Sequence, residues 1–126
     1  MRMFTIAALV LTVLSATPSM AENVRVSWYG SDGNHGFPKD GFLGKKMANG
    51  EKLTINAQIV AHKTLPFGTK VKFTNRKIKG HPSICLPVTD RGPFAKGREY
   101  DLSWAAALEL GITEQGVASL EAKVGC

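Results

Sequence analysis

The sequence predicts a mainly β fold, a small closed barrel of short strands accompanied by one short helix. Five separate segments alternate apolar and polar side chains with the period of two that is typical of half-buried strands. A single segment carries both the start and the stop signals of a helix. The strands lack the regular spacing of roughly 8–12 residues that is typical of a β-sandwich, which favours a barrel.

The predicted strands are recognised by apolar residues at every second position. In chain order they cover residues 24–29, 55–61, 70–73, 84–89 and 120–124. Pro87 interrupts the fourth of them, and because proline lacks the N–H that a β-ladder needs, it predicts an edge or a bulge there. In the first strand Trp28 and Tyr29 point to opposite faces, so we expect only one of them to face a ligand.

One helix is predicted over Trp104–Leu110, a segment rich in Ala and Leu. Ser103 suits its N-cap, and Gly111 suits the left-handed position that ends many helices. Between the first two strands lies Ser31–Lys46, which is rich in glycine and charge and is predicted to be a long loop. Loops of this length are usually functional or mobile.

The N-terminal segment Met1–Ala21 has the three parts of a secretory signal. Arg2 supplies the positive charge, Phe4–Leu14 is an almost unbroken apolar run, and small residues flank Met20 as signal peptidase requires. The apolar run is shorter than the about 20 residues that span a bilayer. We therefore expect cleavage and no stable membrane insertion afterwards, the alternative being an N-terminal anchor that stays on the chain.

The predicted mature chain, Glu22–Cys126, suits one domain with a single modest core. Its net charge is +5, one less than the +6 of the whole chain, because Arg2 lies in the signal. Its basic residues are scattered without an arginine-rich run, which argues against nucleic acid. The charge fits an anionic envelope polymer, although solubility alone could explain it. We expect a soluble monomer, periplasmic or secreted.

Cys85 and Cys126 are the two cysteines of the chain. In an oxidising compartment an even count favours a disulfide, which would stabilise the fold by about 4 kcal/mol and pin the C-terminus to the barrel. Two free thiols are the alternative. Because the first cysteine is far from the signal, we expect no lipid anchor. Two cysteines and three scattered histidines lack metal-ligand spacing, so neither a metal nor another cofactor is expected.

Polar groups stand beside glycines and prolines that fix the backbone in several places. These are Ala48–Glu51, Ala61–Thr69 and Thr89–Phe94, the last followed closely by Tyr100–Ser103. Asn-Gly is the strongest tight-turn dipeptide, so Glu51 leaves its turn at a defined angle. Each group also has a structural explanation, since Asp90 could cap its turn and Asp101 could complement the helix dipole. Spacing alone does not reveal an active site.

Taken together, these blocks resemble the rare lipoprotein A family of septal-ring lytic transglycosylases. The blocks that match, in the family's order, are Ser27–Gly30, Ala48–Glu51, Ala61–Thr69, Asp90–Phe94 and Asp101–Ser103. They cover nearly all of the mature chain, and five in order are highly specific. The resemblance implies a six-stranded double-psi β-barrel with one or two short helices and a glycan groove, the barrel type of expansins and the membrane-bound lytic transglycosylase A.

The resemblance also implies site residues. Glu51 and Asp90 match the family's catalytic carboxylates, His62 matches its groove histidine, and Asp101 is a second catalytic candidate. Such enzymes cleave the MurNAc–GlcNAc β-1,4 bond of peptidoglycan without water. One carboxyl protonates the leaving oxygen and then takes the proton of the C6 hydroxyl that closes a 1,6-anhydro ring. We expect Asp90 in this role, with Glu51 stabilising positive charge on the sugar and the reverse assignment open.

The remaining predicted groove residues would bind sugar. His62, Arg91 and Ser103 would contact polar groups, and Tyr29 would stack on a ring while Trp28 stays in the core. The sequence departs from the family in a longer segment 32–43, in the missing lipidation cysteine and in the missing C-terminal peptidoglycan-binding module. The alternatives to an enzyme are a non-catalytic, expansin-like wall-binding module and, with less support, a secreted inhibitor or interaction protein.

Overall fold

The computed structural model describes residues 20–34 and 36–126, which form six strands and one helix. In chain order these are β1 (Glu22–Tyr29), β2 (Val60–Ala61), β3 (Lys70–Thr74), β4 (Ser83–Asp90), β5 (Tyr100–Ser103), α1 (Trp104–Leu110) and β6 (Ala118–Val124). The predicted export signal lies outside the described residues except for its last two. Among the helices of the described part, none is long and apolar enough to cross a membrane.

The strands close into one barrel in the order β1-β5-β2-β4-β3-β6. The pairs β1–β5 and β2–β4 are parallel, and the other four are antiparallel. This architecture confirms the predicted mainly β, six-stranded barrel with a short helix. Pro87 predicted either an edge strand or a bulge. Because the barrel is closed, β4 has a neighbour on both sides, and the bulge is the alternative that the structure supports. The register shifts between Val60 and Ala61, which pair with Val88 and Asp90, just past the proline.

The strand predicted over residues 55–61 is mostly wrong, because only Val60 and Ala61 join the sheet. Before them the chain turns, with the Ala57 N–H donating to the Thr54 carbonyl at 3.1 Å. Ile59 is buried and its N–H donates to the Ser103 hydroxyl rather than to a neighbouring backbone. Before Val60, the alternation of apolar residues therefore reflects the packing of an irregular segment and not the pairing of a strand.

The core consists of two apolar clusters. The larger fills the barrel and includes the fully buried side chains of Phe73, Leu86 and Leu102. The smaller lies beside it and contains Met47, Leu53 and Ile59 together with Tyr29 and Ala61. Since Tyr29 and Ala61 also line the cavity described below, this second cluster supports the floor of the candidate site.

The helix and the disulfide form as predicted. Helix α1 begins after Ser103 and ends at Leu110, and the next residue, Gly111, adopts the left-handed conformation with φ of 71°. Cys85 in β4 bonds Cys126 just beyond β6, with a Cα–Cα distance of 6.2 Å. Because β3 lies between β4 and β6, the disulfide bridges across this strand and fixes the C-terminus to the barrel wall.

Candidate active site

Four neighbouring strands bring two carboxylates into one row. Ser27 of β1 pairs with Asp101 of β5, Asp101 pairs with Ala61 of β2, and Ala61 pairs with Asp90 of β4. Neighbouring strands are separated by about 4.8 Å, so the Cα atoms of Asp90 and Asp101 lie about 10 Å apart. The small Ala61 side chain between them leaves open space into which both carboxylates can reach.

This space is a cavity of about 280 Å³. All four residues of the row line it. Further walls come from Tyr29, Arg91, the two phenylalanines Phe42 and Phe94, and Arg98. The cavity thus combines two acids, cationic side chains and aromatic rings, which is the mixture expected of a site for a polar ligand with apolar faces.

The Asp90 carboxylate is held by three donors. Its Oδ2 accepts the Tyr29 hydroxyl at 2.8 Å, and its Oδ1 accepts the backbone N–H groups of Ala48 and Arg91, each at 2.9 Å. Burial, together with the bond to Asp90, holds the pKa of the Tyr29 hydroxyl far above its usual value, so Tyr29 remains a donor. Both oxygens of Asp90 are therefore fixed in place.

The Asp101 carboxyl has fewer partners. Its Oδ1 accepts the Ser27 hydroxyl at 3.2 Å. Burial raises the pKa of Asp101 to about 6, with smaller upward contributions from the negative charges of Asp90 and Asp40. The Ser27 bond and the Arg98 cation act in the opposite direction and do not cancel the effect of burial. The raised pKa makes Asp101 the better proton donor of the two acids in the cavity.

Glu51 lies in the predicted tight turn, but the side chains that line the described cavity do not include it. The turn is closed by backbone bonds from Gly50 N–H to the Met47 carbonyl and from Met47 N–H to the Glu51 carbonyl, at 2.9 and 2.7 Å. The Glu51 N–H donates to Asn49 Oδ1 at 3.0 Å, and Gly50 adopts a φ of 92°. Glu51 is exposed on this hairpin, and the same hairpin supplies the Ala48 N–H to Asp90. A catalytic pairing of Glu51 with Asp90 stays a prediction.

His62 organises the loop that follows β2. Its Nδ1 accepts the backbone N–H groups of Thr64 and Leu65 at 3.1 and 3.0 Å, so in the neutral ring the proton resides on Nε2. Partial burial lowers the pKa of His62, and the cations of Arg91 and Lys63 lower it further. The ring packs near Tyr100, with centroids 4.9 Å apart. The predicted contact of His62 with sugar stays a prediction.

Arg91 clamps the same loop from the cavity side. Its Nη1 donates to the carbonyls of Leu65 and His62 at 2.7 and 3.3 Å. Its guanidinium also lies 4.0 Å above the centre of the Phe67 ring, a cation–π contact. Arg91 therefore has a structural task in addition to the predicted contact with substrate.

Two predicted substrate contacts need correction. Ser103 is 2% exposed and its hydroxyl accepts the Ile59 N–H at 3.2 Å, so it neither caps α1 with its side chain nor reaches a ligand. Tyr29 is 7% exposed, with Phe42 edge-on at 5.4 Å, so it presents its hydroxyl to Asp90 and no open ring face to a sugar. As predicted, Trp28 packs against the barrel core.

The sequence interpretation missed several groups of the cavity. Phe42 belongs to the loop 31–46, where Asp40 Oδ2 accepts the N–H groups of Gly30 and Ser31 at 2.7 and 3.2 Å. This carboxylate pins the loop to the end of β1, but nothing in the sequence distinguishes it from other loop acids. Within the described part of the chain, no three His, Cys, Asp or Glu side chains are grouped so as to hold a metal ion.

Solved structures of the same architecture define the class of fold, the double-psi β-barrel. The Streptomyces papain inhibitor matches with a TM-score of 0.60 and 20% identity over 86% of this chain and 97% of its own. The apo expansin of Clavibacter michiganensis matches with a TM-score of 0.60 and 17% identity, over 85% of this chain and 51% of its own. At these identities the likeness concerns the fold alone.

A family model described as lytic transglycolase matches residues 21–122, so the chain belongs to that family. The probable endolytic peptidoglycan transglycosylase RlpA of Synechocystis sp. is 45% identical over 94 residues, and its Rickettsia felis counterpart is 42% identical over 106. These alignments cover 75% and 84% of this chain but only 26% and 43% of the relatives. They confirm the resemblance to the rare lipoprotein A family, and the chain spans less than half the length of these relatives.

Proposed function

We propose that this chain is an endolytic lytic transglycosylase that cleaves the MurNAc–GlcNAc β-1,4 bond of peptidoglycan and leaves 1,6-anhydro-MurNAc ends. The observation that carries the proposal is the placement of Asp90 and Asp101 in one cavity, on either side of Ala61. Two carboxyl groups in different environments can divide the work of cleaving a glycosidic bond, one exchanging the proton and the other stabilising positive charge. The family and the names of the relatives support the same reaction.

Asp101 is the group that carries the proton. With a pKa of about 6, raised by burial, it protonates the leaving glycosidic oxygen as the C1–O bond breaks. The resulting carboxylate then takes the proton of the C6 hydroxyl, whose oxygen forms the new bond to C1. The proton lost in the first step is recovered in the second, so neither water nor a cofactor is consumed.

Asp90 is the group that stabilises charge. Three donors fix it beside the cavity, where its carboxylate faces the positive charge that develops on the sugar ring. This assignment differs from the one expected from the sequence, in which Asp90 carried the proton with Glu51 as its partner, the reverse was open, and Asp101 was a second catalytic candidate. Glu51 and His62 remain candidates for contacts with the glycan at the rim of the groove.

We infer that the protein is exported and acts in the periplasm or outside the cell as a soluble, non-lipidated monomer. The N-terminal pattern of Met1–Ala21 supports export, and the Cys85–Cys126 disulfide suits an oxidising compartment. Intact-mass analysis of the protein recovered from a periplasmic fraction is expected to give a chain beginning at Glu22. A thiol-alkylating reagent is expected to add no mass until the protein is reduced.

Digestion of purified sacculi, followed by mass spectrometry of the products, tests the reaction. New anhydro-muramyl ends are the expected result. Ordinary reducing ends would instead identify a hydrolase. Capture of sacculi without any new ends would leave the second candidate function, a non-catalytic wall-binding module, which the exposed rings of Phe42 and Phe94 would serve equally.

A further inference from the structure

Two exposed phenylalanine rings at the groove take no part in the proposed chemistry. Phe42 is 50% exposed and Phe94 is 81% exposed, and both line the cavity that holds Asp90 and Asp101. A single exposed apolar side chain needs no explanation, since protein surfaces contain many. Two aromatic rings at one cavity with two acids are different, because together they form an apolar wall beside a polar centre.

Phe42 is held in place by its loop. Its backbone N–H donates to Asp40 Oδ1 at 3.2 Å, and the other oxygen of Asp40 is bound to the end of β1. The ring stands nearly perpendicular to Tyr29, with an interplanar angle of 86°. Since the Tyr29 hydroxyl in turn binds Asp90, a single side chain separates the Phe42 ring from that carboxylate.

Phe94 comes from a different segment, just after β4. Its ring lies over Gly92, where an added Cβ would be 3.7 Å from Phe94 Cε2. Gly92 itself lines the cavity and adopts a φ of 124°, a conformation that L side chains rarely adopt. Glycine at this position therefore fixes the backbone from which the Phe94 ring reaches the cavity, in a conformation that other residues rarely adopt.

We propose that Phe42 and Phe94 stack on the sugar rings of the peptidoglycan glycan strand and hold it over the two carboxylates. The inference rests on the proposed function for the identity of the ligand. A pyranose ring has hydroxyl groups around its rim and C–H groups on its faces, so it matches an aromatic ring above a polar centre. Aromatic faces attract such C–H groups because of the negative charge of their π-systems.

Stacking of this kind contributes to binding of the strand and not to transfer of the proton. Replacing either ring by leucine keeps an apolar side chain but removes the flat face. We expect each of Phe42→Leu and Phe94→Leu to weaken binding about fivefold, the order expected for loss of an aromatic contact. Phe42→Tyr and Phe94→Tyr, which keep the face, are expected to bind like the parent protein.

The test measures binding to peptide-free glycan chains and to intact sacculi by co-sedimentation, with every variant made in Asp101→Asn so that turnover does not consume the ligand. Leu108→Ala is the matched control, because Leu108 is 52% exposed on α1 and lies outside the cavity. Thermal unfolding checks that each variant is folded. Weaker binding in both leucine variants, with the control unchanged, is the expected result.

Three other outcomes of the binding test can be distinguished from the expected one. Equal binding by the leucine variants and their parent overturns the stacking role, whatever the cleavage assay shows. A change in self-association without a change in glycan binding overturns it as well, and assigns the rings to contact with a second copy of the chain. If the rings matter for binding while the protein with intact Asp101 makes no anhydro ends, the proposed reaction fails and the stacking role stands.

Discussion

The two sides of the barrel are built differently. On one side β3 forms five registered pairs with β4 and four with β6, and the disulfide closes the same seam. On the other side β2 forms only two pairs with each neighbour, and its register to β4 is broken at Ala61. There side chains accept some of the backbone hydrogen bonds, and the Ser103 hydroxyl accepts that of the Ile59 N–H.

The two sides therefore contribute differently, one to the stability of the fold and the other to the candidate active site. The regular seam satisfies its backbone with ladder bonds and gains further stability from a covalent link. On the irregular side Asp90, Asp101 and the small Ala61 lie next to one another and line the cavity. Substitutions in the seam formed by β4, β3 and β6 should therefore alter the free energy of unfolding without altering the rate of cleavage. Substitutions beside Ala61 should alter the rate of cleavage and its pH dependence.

The largest expected effect on stability comes from the seam. Replacing both Cys85 and Cys126 by alanine removes the constraint on the unfolded chain and is expected to lower the free energy of unfolding by about 4 kcal/mol. Urea denaturation measures this loss, with the reduced wild-type protein as a control. At a temperature at which the double variant is folded, the rate of glycan cleavage is expected to be unchanged. A folded variant that fails to cleave would remove the distinction between the two sides.

The next effect is the pH dependence that Asp101 gives to stability. Burial raises its pKa from 3.8 to about 6, so its contribution to folding is present below pH 4 and is lost as the pH rises through 6. Asp101→Asn cannot ionise and escapes this loss. The variant is therefore expected to gain about 2 kcal/mol relative to wild type between pH 4 and pH 7. Denaturation at several pH values measures the difference, and a constant difference would contradict the raised pKa.

The smallest effect tests the support of Asp90. Tyr29→Phe removes the hydroxyl that binds Asp90 Oδ2 and is expected to lower the free energy of unfolding by about 1 kcal/mol. Because Asp90 is then less firmly oriented, cleavage is expected to slow about tenfold. Tyr100→Phe is the matched control, since Tyr100 is equally buried and packs on Phe73 and His62 instead. Equal rates in the two variants would mean that Tyr29 does not position Asp90.

The sequence predicts the regular parts of this fold better than the irregular ones. Alternation locates β1, β3, β4 and β6 because there the period of two coincides with ladder pairing. It fails over residues 55–61, where apolar residues alternate in a turn. The bounds of α1 follow from local signals at Ser103 and Gly111, whereas the partner of the Ser103 hydroxyl lies 44 residues away.

The same limit applies to the candidate site. Asp90 and Asp101 are recognisable as candidates from the family blocks, but their separation by Ala61 follows from pairing between distant strands. Ser27 binds Asp101 across 74 residues, a contact that no local pattern reports. Phe42 reaches the cavity because Asp40, in the same loop, binds the backbone at the end of β1. The composition of residues 31–46 does not predict this contact.

The pH dependence of cleavage tests the central claim, that Asp101 carries the proton beside a fixed Asp90. Release of anhydro-muramyl ends from peptide-free glycan would be followed from pH 4 to pH 8 for wild type, Asp101→Asn and Glu51→Gln. Wild type is expected to lose activity as the pH rises through about 6, because Asp101 then lacks its proton. Asp101→Asn is expected to lose at least about 100-fold in rate. Glu51→Gln is expected to keep the wild-type pH dependence. An Asp101→Asn variant that cleaves with the wild-type rate and pH dependence would contradict the account.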